Sequence, residues 1–373
     1  MKIAADKNIL FVRESFSTLG GTVLFDIKDI VNENIKDFDV LLIRSTTKVD
    51  KKLLENTKIK FVGSAVAGID HVDIDYLQKK RIGFSSASGC NARSVAEYVL
   101  TVIYVFCMQK NISPKNFVVG IIGVGHIGGQ VSEILKKLGI KTILNDPILE
   151  KQSVSNKFSS IEYLAKNSDI ITVHTPLTKS GEYKTENLLD ENFFTKVKKN
   201  IFLIQASRGA VCNENALMKS MSKIQKPVID VWADEPDVNV DLARNCLFAT
   251  QHIAGHSFDG KINGTKIIYD ACCDFFSRKQ KFDFEKEVFS KIPNQSIEYA
   301  GSVGNVLLKC CPIDADSLDF EKLLALKNAD ERKIIFKELR ENYRKRLEFS
   351  HYTVSGVPLN ESESLRNLGF YIK

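Results

Sequence analysis

The sequence has no C-x-x-C pair, no apolar segment long enough to span a membrane and no block of basic residues free of acids. In a chain of 373 residues, the eight cysteines are expected to be reduced thiols of a cytosolic protein. The longest apolar run, Tyr98–Met108, falls far short of the roughly 20 residues that a membrane helix needs. The first residues, MKIAADKN, lack the apolar core of a signal peptide. The sequence therefore predicts a cytoplasmic protein with no membrane partner and no metal.

Charge is spread along the chain, although the formal net charge is +6. The densest basic run, Glu338–Arg346, contains Glu338 and Glu341, which is typical of a solvated helix face. Binding of nucleic acid needs a concentrated basic surface, so no nucleic-acid partner is predicted. The apolar share of 44% and the charged share of 26% are ordinary for a globular protein, and the length predicts two or three domains.

Short apolar runs alternate with helical patterns through most of the chain. Strands are predicted at Lys2–Ala5, Val40–Ile43, Phe61–Ser64, Val118–Ile122, Lys141–Leu144, Ile170–His174, Ile201–Gln205, Val228–Val231, Cys246–Ala249 and, near the end, Ser350–Val354. Helices are predicted at Asp50–Glu55, Val72–Lys79, Ser94–Met108, Ile127–Leu138, Ile161–Lys166, Glu191–Val197, Glu214–Ser222, Thr265–Phe276, Ser317–Lys327 and Asp330–Glu348. This alternation predicts an α/β protein with parallel sheets, including a doubly wound sheet from Val118 onward.

A glycine-rich turn follows the predicted strand at 118–122. Gly123, Gly125 and Gly128 form G-x-G-x-x-G, which permits a tight turn, a close approach to pyrophosphate and packing of the helix on the sheet. The start of the helix then offers free N–H groups to phosphate. Asp146 ends the next strand, where its carboxylate can accept hydrogen bonds from ribose hydroxyls and repel a 2′-phosphate. The segment therefore predicts an NAD site and disfavours NADP.

Polar loops follow three later strands and are expected to meet at the carboxyl edge of the same sheet. They read ASRG at 206–209, DVWADEP at 230–236 and QHIAGH at 251–256. His252 can act as general base toward an alcohol, Glu235 can orient its imidazole, and Arg208 can grip a carboxylate. These residue types are those needed to oxidise a 2-hydroxy acid by hydride transfer.

Taken together, these segments resemble the D-isomer-specific 2-hydroxyacid dehydrogenase family over residues 1 to about 280. The resemblance is carried by VGIIGVGHIG, by HTPLT at His174–Thr178, by ASRGAV at Ala206–Val211 and by QHIAGH. It implies a flavodoxin-like α/β substrate domain (1–93 with 257–281), a Rossmann-type NAD domain (94–256) and a small α+β C-terminal dimerisation domain (282–373). IRSTTKV, FVGSAVAGIDHVD, SGCNARSVAEYV and the tail at 336–354 point to a branch that acts on a phosphorylated four-carbon hydroxy acid as a homodimer.

The resemblance also implies roles for single residues. Arg208, Glu235 and His252 would be catalytic. The implied cofactor contacts are Gly123, Gly125, His126, Ile127, Gly128, Asp146, Thr175, Ala206, Ser207, Arg208, Asp230 and Gly255. The implied substrate contacts are Ser45, Val66 and His256.

Two of these positions depart from the family pattern. Val66 stands where a hydroxyl side chain is expected, and His256 stands where a tyrosine is expected. Val66 retains its backbone groups and His256 retains a hydrogen-bonding ring, so the details of substrate affinity are affected more than the class of reaction. Cys90 beside Gly89 and Asn91 is not assigned as a nucleophile, because hydride transfer needs none.

Arg44 to Lys48 supply several hydrogen-bond donors after a predicted strand, which suits an anionic substrate. For Thr46 and Thr47, capping of the following helix is an equally good interpretation. Two other functions stay open. The chain can be a dehydrogenase of another D-2-hydroxy acid, such as 3-phosphoglycerate, or a regulatory protein that senses NAD without turnover.

Overall fold

The computed structural model describes residues 1–153 and 157–373. The chain divides into two compact units, each built from two separate stretches of sequence. The first comprises Met1–Asn91 and Ser257–Pro293, and the second comprises Ala92–His256 and Asn294–Lys373.

Strands and short helices alternate in the amino-terminal part of the first unit. They are β1 (Lys2–Asp6), α1 (Val12–Phe16), β2 (Gly21–Phe25), α2 (Asn32–Ile35), β3 (Val40–Ile43), α3 (Lys51–Leu54), β4 (Phe61–Ser64), α4 (Ile74–Lys80) and β5 (Gly83–Ser86). The strands pair in parallel in the order β2-β1-β3-β4-β5. This is the flavodoxin-like order, so the fold predicted for this part is confirmed.

The second unit begins with a long buried helix and continues as a second α/β sheet. Its elements up to residue 256 are α5 (Ala92–Lys110), β6 (Val118–Ile122), α6 (His126–Lys137), β7 (Lys141–Asn145), α7 (Pro147–Gln152), α8 (Ile161–Asn167), β8 (Ile170–Val173), α9 (Glu191–Lys196), β9 (Phe202–Gln205), α10 (Glu214–Lys219), β10 (Val228–Ile229), α11 (Val240–Arg244) and β11 (Phe248–Ala249). In the described part of the chain, no helix, α5 included, is both long and apolar enough to cross a membrane.

The strands of the second unit are parallel and lie in the order β11-β10-β9-β8-β6-β7. An isolated parallel bridge joins Leu144 to Phe158 on the free side of β7. The chain thus winds outward in one direction through β7 and in the other through β8. The point between β6 and β8 where the direction reverses is where open α/β sheets bind dinucleotides. The Rossmann-type prediction is confirmed.

Residues 257–293 return to the first unit as α12 (Phe258–Phe275) and α13 (Phe284–Glu287). Helix α12 begins well before the predicted Thr265, because the hydroxyl of Ser257 accepts a hydrogen bond from the Gly260 N–H and caps it. The helix packs closely on the sheet: a methyl group at Gly63 in β4 would lie 3.2 Å from the Ile268 side chain.

The C-terminal region, residues 294–373, belongs to the second unit. It contains β12 (Gln295–Glu298), α14 (Val303–Cys310), α15 (Ile313–Leu324), α16 (Ala329–Glu341), β13 (Tyr352–Ser355), α17 (Leu359–Leu368) and β14 (Tyr371–Ile372). The strands form a small parallel sheet in the order β12-β13-β14. Helix α16 ends at Glu341, so the prediction of one helix to Glu348 was wrong. The chain leaves the helix at this point, and residues 346–349 are buried.

Helix α5 and the C-terminal region share a buried polar network. Glu97 Oε1 accepts from Arg93 Nε at 2.7 Å and from the Phe349 N–H at 3.0 Å. Arg93 also donates to the Leu368 carbonyl, and the Ser94 hydroxyl donates to Glu348 at 2.9 Å. Burial raises the pKa of Glu97 to about 8. The charge of Arg93 lowers this pKa, and the charge of Glu348 raises it further.

Replacing Glu97 by glutamine is expected to flatten the pH dependence of stability. Since Glu97 binds its proton more tightly in the folded chain, unfolding releases that proton between its unfolded pKa, near 4.5, and about 8. Wild-type stability therefore falls as pH rises through this window, and the Glu97→Gln variant should escape about 2 kcal/mol or more of that loss. Thermal unfolding at pH 5.5 and pH 8 measures it. The control is Glu133→Gln, because Glu133 is exposed on α6. An equally steep fall of stability with pH in both variants would contradict the expectation.

Candidate active site

Three glycines shape the turn between β6 and α6, each for a different reason. Gly123 has φ of 82°, and a methyl group there would lie 2.8 Å from the His174 carbonyl oxygen. At Gly128 a methyl group would collide with the Gly123 carbonyl, so this residue allows α6 to pack on the turn. At Gly125 a methyl group would meet nothing within 4 Å, so this side of the turn is open for a ligand. The tight turn and the close packing expected of the motif are present, and the approach of Gly125 to pyrophosphate stays a prediction.

The open side of the turn, at Gly125, lies at the start of α6. Gly125 is the N-cap residue and offers no side-chain hydrogen bond, so the first N–H groups of α6 are left for a ligand. His126 is exposed there and Ile127 is half-buried. Together with the positive end of the helix dipole, this arrangement fits the pyrophosphate of NAD.

Asp146 lies directly beside the glycine turn. Its Oδ2 accepts from the Val124 N–H at 2.9 Å, and its Oδ1 accepts from the Leu149 N–H at 3.0 Å as the cap of α7. Each carboxylate oxygen can accept a further hydrogen bond, so the side chain is available to ribose hydroxyls. The position at the end of β7 agrees with the predicted role.

Replacing Asp146 by alanine is expected to raise the KM for NAD about tenfold or more, because charge-assisted hydrogen bonds to ribose are lost. The ratio of NADP to NAD use should rise, since the repulsion of a 2′-phosphate disappears. Initial rates with both cofactors measure this. Asp190→Ala is the matched control, because Asp190 caps α9 in the same way at 2.8 Å from the Phe193 N–H. An unchanged KM for NAD in Asp146→Ala would contradict the assignment.

Thr175 follows β8 and approaches the glycine turn. Its Cγ2 would lie 2.9 Å from a methyl group at Gly123, and its Oγ1 is buried with no hydrogen-bond partner among the described residues. A buried hydroxyl without a partner is costly unless a ligand supplies one. This geometry agrees with the predicted contact between Thr175 and the cofactor, which stays a prediction.

The Arg208 turn follows β9 and is held from within by Gln205. Gln205 Oε1 accepts from the Ser207 hydroxyl at 2.9 Å, and its Nε2 donates to the Arg208 carbonyl at 3.1 Å. Ala206 and Ser207 are nearly buried, while Arg208 is half-buried and donates from Nη1 to the Ser207 carbonyl at 2.9 Å. A methyl group at Gly209 would collide with the Trp232 carbonyl. The glycine therefore lets this turn pack against the segment that precedes Glu235.

Glu235 and His252 are paired, as the sequence analysis expected. His252 Nδ1 lies 2.6 Å from Glu235 Oε1, and Glu235 Oε2 accepts from the Trp232 N–H at 3.4 Å. Burial acts to raise the pKa of Glu235, but the hydrogen bond and charge of His252, with the charge of Arg340, outweigh it and lower that pKa. A carboxylate held ionised here fixes the imidazole through Nδ1 and leaves Nε2 for proton exchange with a substrate.

Residues 250–256 carry the predicted catalytic histidine, His252, and are called the catalytic loop. This loop is organised by Asp230, whose side chain is fully buried. Its Oδ1 accepts from the Thr250 hydroxyl and from the Ile253 N–H, both at 2.7 Å, and its Oδ2 accepts from the Ala254 N–H at 3.0 Å. The carboxylate of Asp230 was expected to contact the cofactor. These bonds show that the carboxylate holds the loop that carries His252, and its contact with the cofactor stays a prediction.

Thr250 is part of the same network, and it was not among the predicted site residues. Its hydroxyl lies 2.8 Å from the Tyr98 hydroxyl, and its carbonyl accepts from Trp232 Nε1 at 2.9 Å. Trp232 is the only tryptophan in the chain. Its ring therefore joins the Glu235 segment to the catalytic loop. A hydroxyl residue immediately before QHIAGH is the signal that would have identified this position.

The predicted substrate residues lie in both units. In the first unit, Ser45 is exposed after β3 and Val66 is half-buried after β4, at the carboxyl ends of neighbouring parallel strands. The Val66 carbonyl accepts from the Ala87 N–H at 3.1 Å. In the second unit, Gly255 and His256 are half-buried at the end of the catalytic loop, and the His256 ring lies 6.1 Å from that of Tyr343.

The structure also shows which residue caps the helix that follows Ser45. Helix α3 is capped by Asp50, whose side chain accepts from the Leu53 N–H at 3.1 Å, so capping by Thr46 or Thr47 was wrong. Arg44 is engaged by the buried Asp6, with 2.8 Å between Nε and Oδ2. This ion pair fixes the base of the Ser45 turn.

The cysteines take no visible part in this site. All eight are free thiols, and Cys90 is buried. Among residues 1–153 and 157–373, no group of three or more His, Cys, Asp or Glu side chains is arranged to hold a metal ion.

A family model described as "D-isomer specific 2-hydroxyacid dehydrogenase, NAD binding domain" matches residues 107–254. An erythronate-4-phosphate dehydrogenase of Wigglesworthia glossinidia brevipalpis is 38% identical over 376 residues, covering 100% of this chain and 99% of the relative. That of Hahella chejuensis is 45% identical over 271 residues, covering 72% of this chain and 71% of the relative.

Among solved structures, NAD⁺-bound 3-phosphoglycerate dehydrogenase of Entamoeba histolytica superposes with a TM-score of 0.63 at 25% identity, covering 76% of this chain and 98% of the other. This chain is therefore one of the D-isomer-specific 2-hydroxyacid dehydrogenases, the class that the NAD-type sheet and the His–Glu pair define. Within that class, it belongs to the erythronate-4-phosphate dehydrogenase family.

Proposed function

We propose that this chain oxidises 4-phospho-D-erythronate at C2 to (R)-3-hydroxy-2-oxo-4-phosphooxybutanoate, reducing NAD, in the synthesis of pyridoxine 5′-phosphate. The observation that carries the proposal is the Glu235–His252 pair, 2.6 Å apart, on the sheet that bears the dinucleotide turn. The names of the full-length relatives support the choice of substrate.

The proposed chemistry needs three actions from this chain. His252 takes the proton of the C2 hydroxyl through Nε2, while Glu235 stabilises the imidazolium that forms. Arg208 binds the substrate carboxylate and favours the developing carbonyl. NAD, when held at the glycine turn, would supply the acceptor for the hydride that leaves C2, so that NADH and one proton would accompany each oxo acid formed. The roles of Arg208, Glu235 and His252 belong to this proposal.

Recognition of the phosphorylated tail is assigned to Ser45, Val66 and His256. Since Val66 brings no hydroxyl, Ser45 and the backbone after β4 are left to make the polar contacts in the first unit. His256 can donate to a phosphate oxygen, and more strongly when protonated. We also propose the cofactor contacts at Gly123, Gly125, His126, Ile127, Gly128, Asp146, Thr175, Ala206, Ser207, Arg208, Asp230 and Gly255.

The test is NADH formation from 4-phospho-D-erythronate, followed by absorbance and compared with D-3-phosphoglycerate at equal concentration. We expect a higher kcat/KM for the four-carbon acid. A preference for 3-phosphoglycerate would reassign the substrate and keep the reaction class. Turnover no greater than that of the His252→Ala variant with both acids would overturn the proposal. A protein partner bound only with NADH present would then favour a regulatory role.

We further propose a cytoplasmic homodimer assembled through residues 282–373. Eight free thiols agree with a reducing compartment. In the C-terminal region, large apolar side chains are exposed at Leu318, Ile334, Leu359 and Tyr371, with Leu359 94% exposed. These are the apolar side chains that an interface through this region would cover. A mass measured by light scattering should equal two chains, and a monomer at assay concentration would refute the dimer.

A further inference from the structure

The C-terminal region is hydrogen-bonded to the backbone on both sides of His252, at the end of β11 and in the catalytic loop. Before the histidine, the Ala249 N–H donates to the Ser317 hydroxyl of α15 at 3.1 Å. After it, the Ala254 carbonyl accepts from Arg346 Nη2 at 2.6 Å. The backbone that flanks His252 is therefore hydrogen-bonded to residues that lie far away in sequence.

Arg346 makes three separate hydrogen bonds with a side chain that is almost fully buried. Besides the Ala254 carbonyl, Nη2 donates to the Ser94 carbonyl of α5 at 3.3 Å, and Nη1 donates to Cys311 Sγ at 3.2 Å. A guanidinium can serve several acceptors in fixed directions at once, whereas a lysine ammonium on a flexible stem cannot reproduce that geometry. The site thus requires arginine for its shape as well as its charge.

The chain around Arg346 is itself held in place. Glu348 accepts from the Ser94 hydroxyl at 2.9 Å, and the Phe349 N–H donates to Glu97 at 3.0 Å. The Phe349 ring stacks on Phe370 with 4.7 Å between centroids. Because these contacts fix the backbone on the C-terminal side of Arg346, its guanidinium has a rigid base from which to hold the loop.

His252 needs such support because its backbone is unusual. Its φ is 59°, in the left-handed region that residues with a side chain rarely adopt. A conformation of this kind persists only where the surroundings hold it. The His252 N–H is bonded to the Asp230 carbonyl at 2.7 Å, and the next residues are held by the Asp230 carboxylate on one side and Arg346 on the other.

We propose that Arg346 is a positioning residue for His252, so that the C-terminal region of the same chain takes part in aligning the catalytic base. This role rests on the proposed function of His252 and goes beyond assembly of a dimer. Arg346 acts through the Ala254 carbonyl, which sets the path of the loop, and it need not touch substrate or cofactor.

The experiment compares Arg346→Met and Arg346→Lys with Arg332→Met. Arg332 is a matched control, because it also donates to backbone carbonyls in the C-terminal region, at Leu326 and Lys327, 2.9 and 3.0 Å away. For both Arg346 variants we expect kcat to fall about 10- to 100-fold while the KM for NAD changes less than about threefold. If Arg346 only stabilised the fold, its variants would yield less folded protein, and kcat per folded active site would be unchanged.

Two further readouts do not depend on turnover. The rate at which diethyl pyrocarbonate modifies His252, followed by peptide mass spectrometry, should rise at least about threefold in the Arg346 variants, because Nδ1 is no longer held against Glu235. The fluorescence of Trp232, which donates to the Thr250 carbonyl of the same loop, should shift as well. If the wild-type chain turned over no substrate, the proposed function would fail and these two readouts would still decide the positioning role.

A folded Arg346→Met variant with unchanged kcat and unchanged His252 reactivity would overturn the proposal. If Arg346→Met does not fold, Arg346→Lys decides on the same readouts. Failure of both variants to fold would make Arg346 a residue of stability alone, which also overturns it. An equal fall of kcat in Arg332→Met would show a general effect of the C-terminal region and would count against Arg346 as well.

Discussion

Replacing His252 by alanine is expected to lower kcat about 100- to 10,000-fold, the range for loss of a general base. In the proposed reaction the C2 hydroxyl must lose its proton as the hydride leaves, and without the imidazole only water or a distant group can take it. The KM for NAD should change little, because His252 is not one of the proposed cofactor contacts. Stopped-flow and steady-state absorbance of NADH measure both quantities.

The companion variant is Glu235→Gln, which keeps the shape and removes the charge. A glutamine can still accept from the imidazole, but it no longer stabilises the imidazolium, so a smaller fall in kcat is expected than in His252→Ala. His351→Ala serves as a control, since His351 is a half-buried histidine of the C-terminal region. The assignment would fail if His252→Ala retained more than about a tenth of wild-type kcat, or if His351→Ala fell equally.

In the sheet of the first unit, the central strands were predictable and the edge strands were not, for a simple physical reason. A parallel strand covered on both faces must be apolar throughout, and β3, with the sequence VLLI, is fully buried. The edge strands β2 and β5 have half-exposed side chains, and neither GTVLF nor GFSS has a distinctive pattern. Both were therefore missed, although the flavodoxin-like fold was inferred from the family resemblance.

The C-terminal region shows a different limit. The polar run after Asp330 is compatible with a continuous helix, yet the chain leaves the helix after Glu341 and buries Arg346 and Glu348. Buried charges are rare, and the local sequence does not predict which charged residues are buried. Their burial depends on carbonyls and hydroxyls of α5 and of the catalytic loop, which lie far away in sequence.

The same distinction applies within the candidate site. The glycine turn and Asp146 were predictable, because their function requires particular residues at short spacing. The Glu235–His252 pair joins two loops, and family resemblance combined with residue chemistry was enough to expect it. The part that Asp230 takes in holding the loop was not predicted, because a carboxylate at a strand end is compatible with both cofactor and backbone partners. Only the geometry shows its hydrogen bonds to the loop.

Replacing Asp230 by asparagine is expected to loosen the catalytic loop while leaving the fold intact. An asparagine side chain can accept from Thr250 and Ile253 through its oxygen, but its amide group then faces the Ala254 N–H, donor against donor. One buried N–H loses its partner, which should cost about 1–3 kcal/mol of stability. Since that N–H lies two residues after the left-handed His252, kcat should also fall about tenfold or more.

Urea unfolding and NADH kinetics on the same preparation separate these two effects. Asp316→Asn is the matched control, because Asp316 is a buried carboxylate of the same unit that accepts from the Tyr343 hydroxyl at 2.8 Å. Burial, opposed by Tyr343 and Arg344, raises the pKa of Asp316 to about 6, so a neutral amide is better tolerated there. A fall in kcat confined to Asp230→Asn would place its carboxylate in the alignment of His252. Unchanged kcat at reduced stability would limit it to the fold.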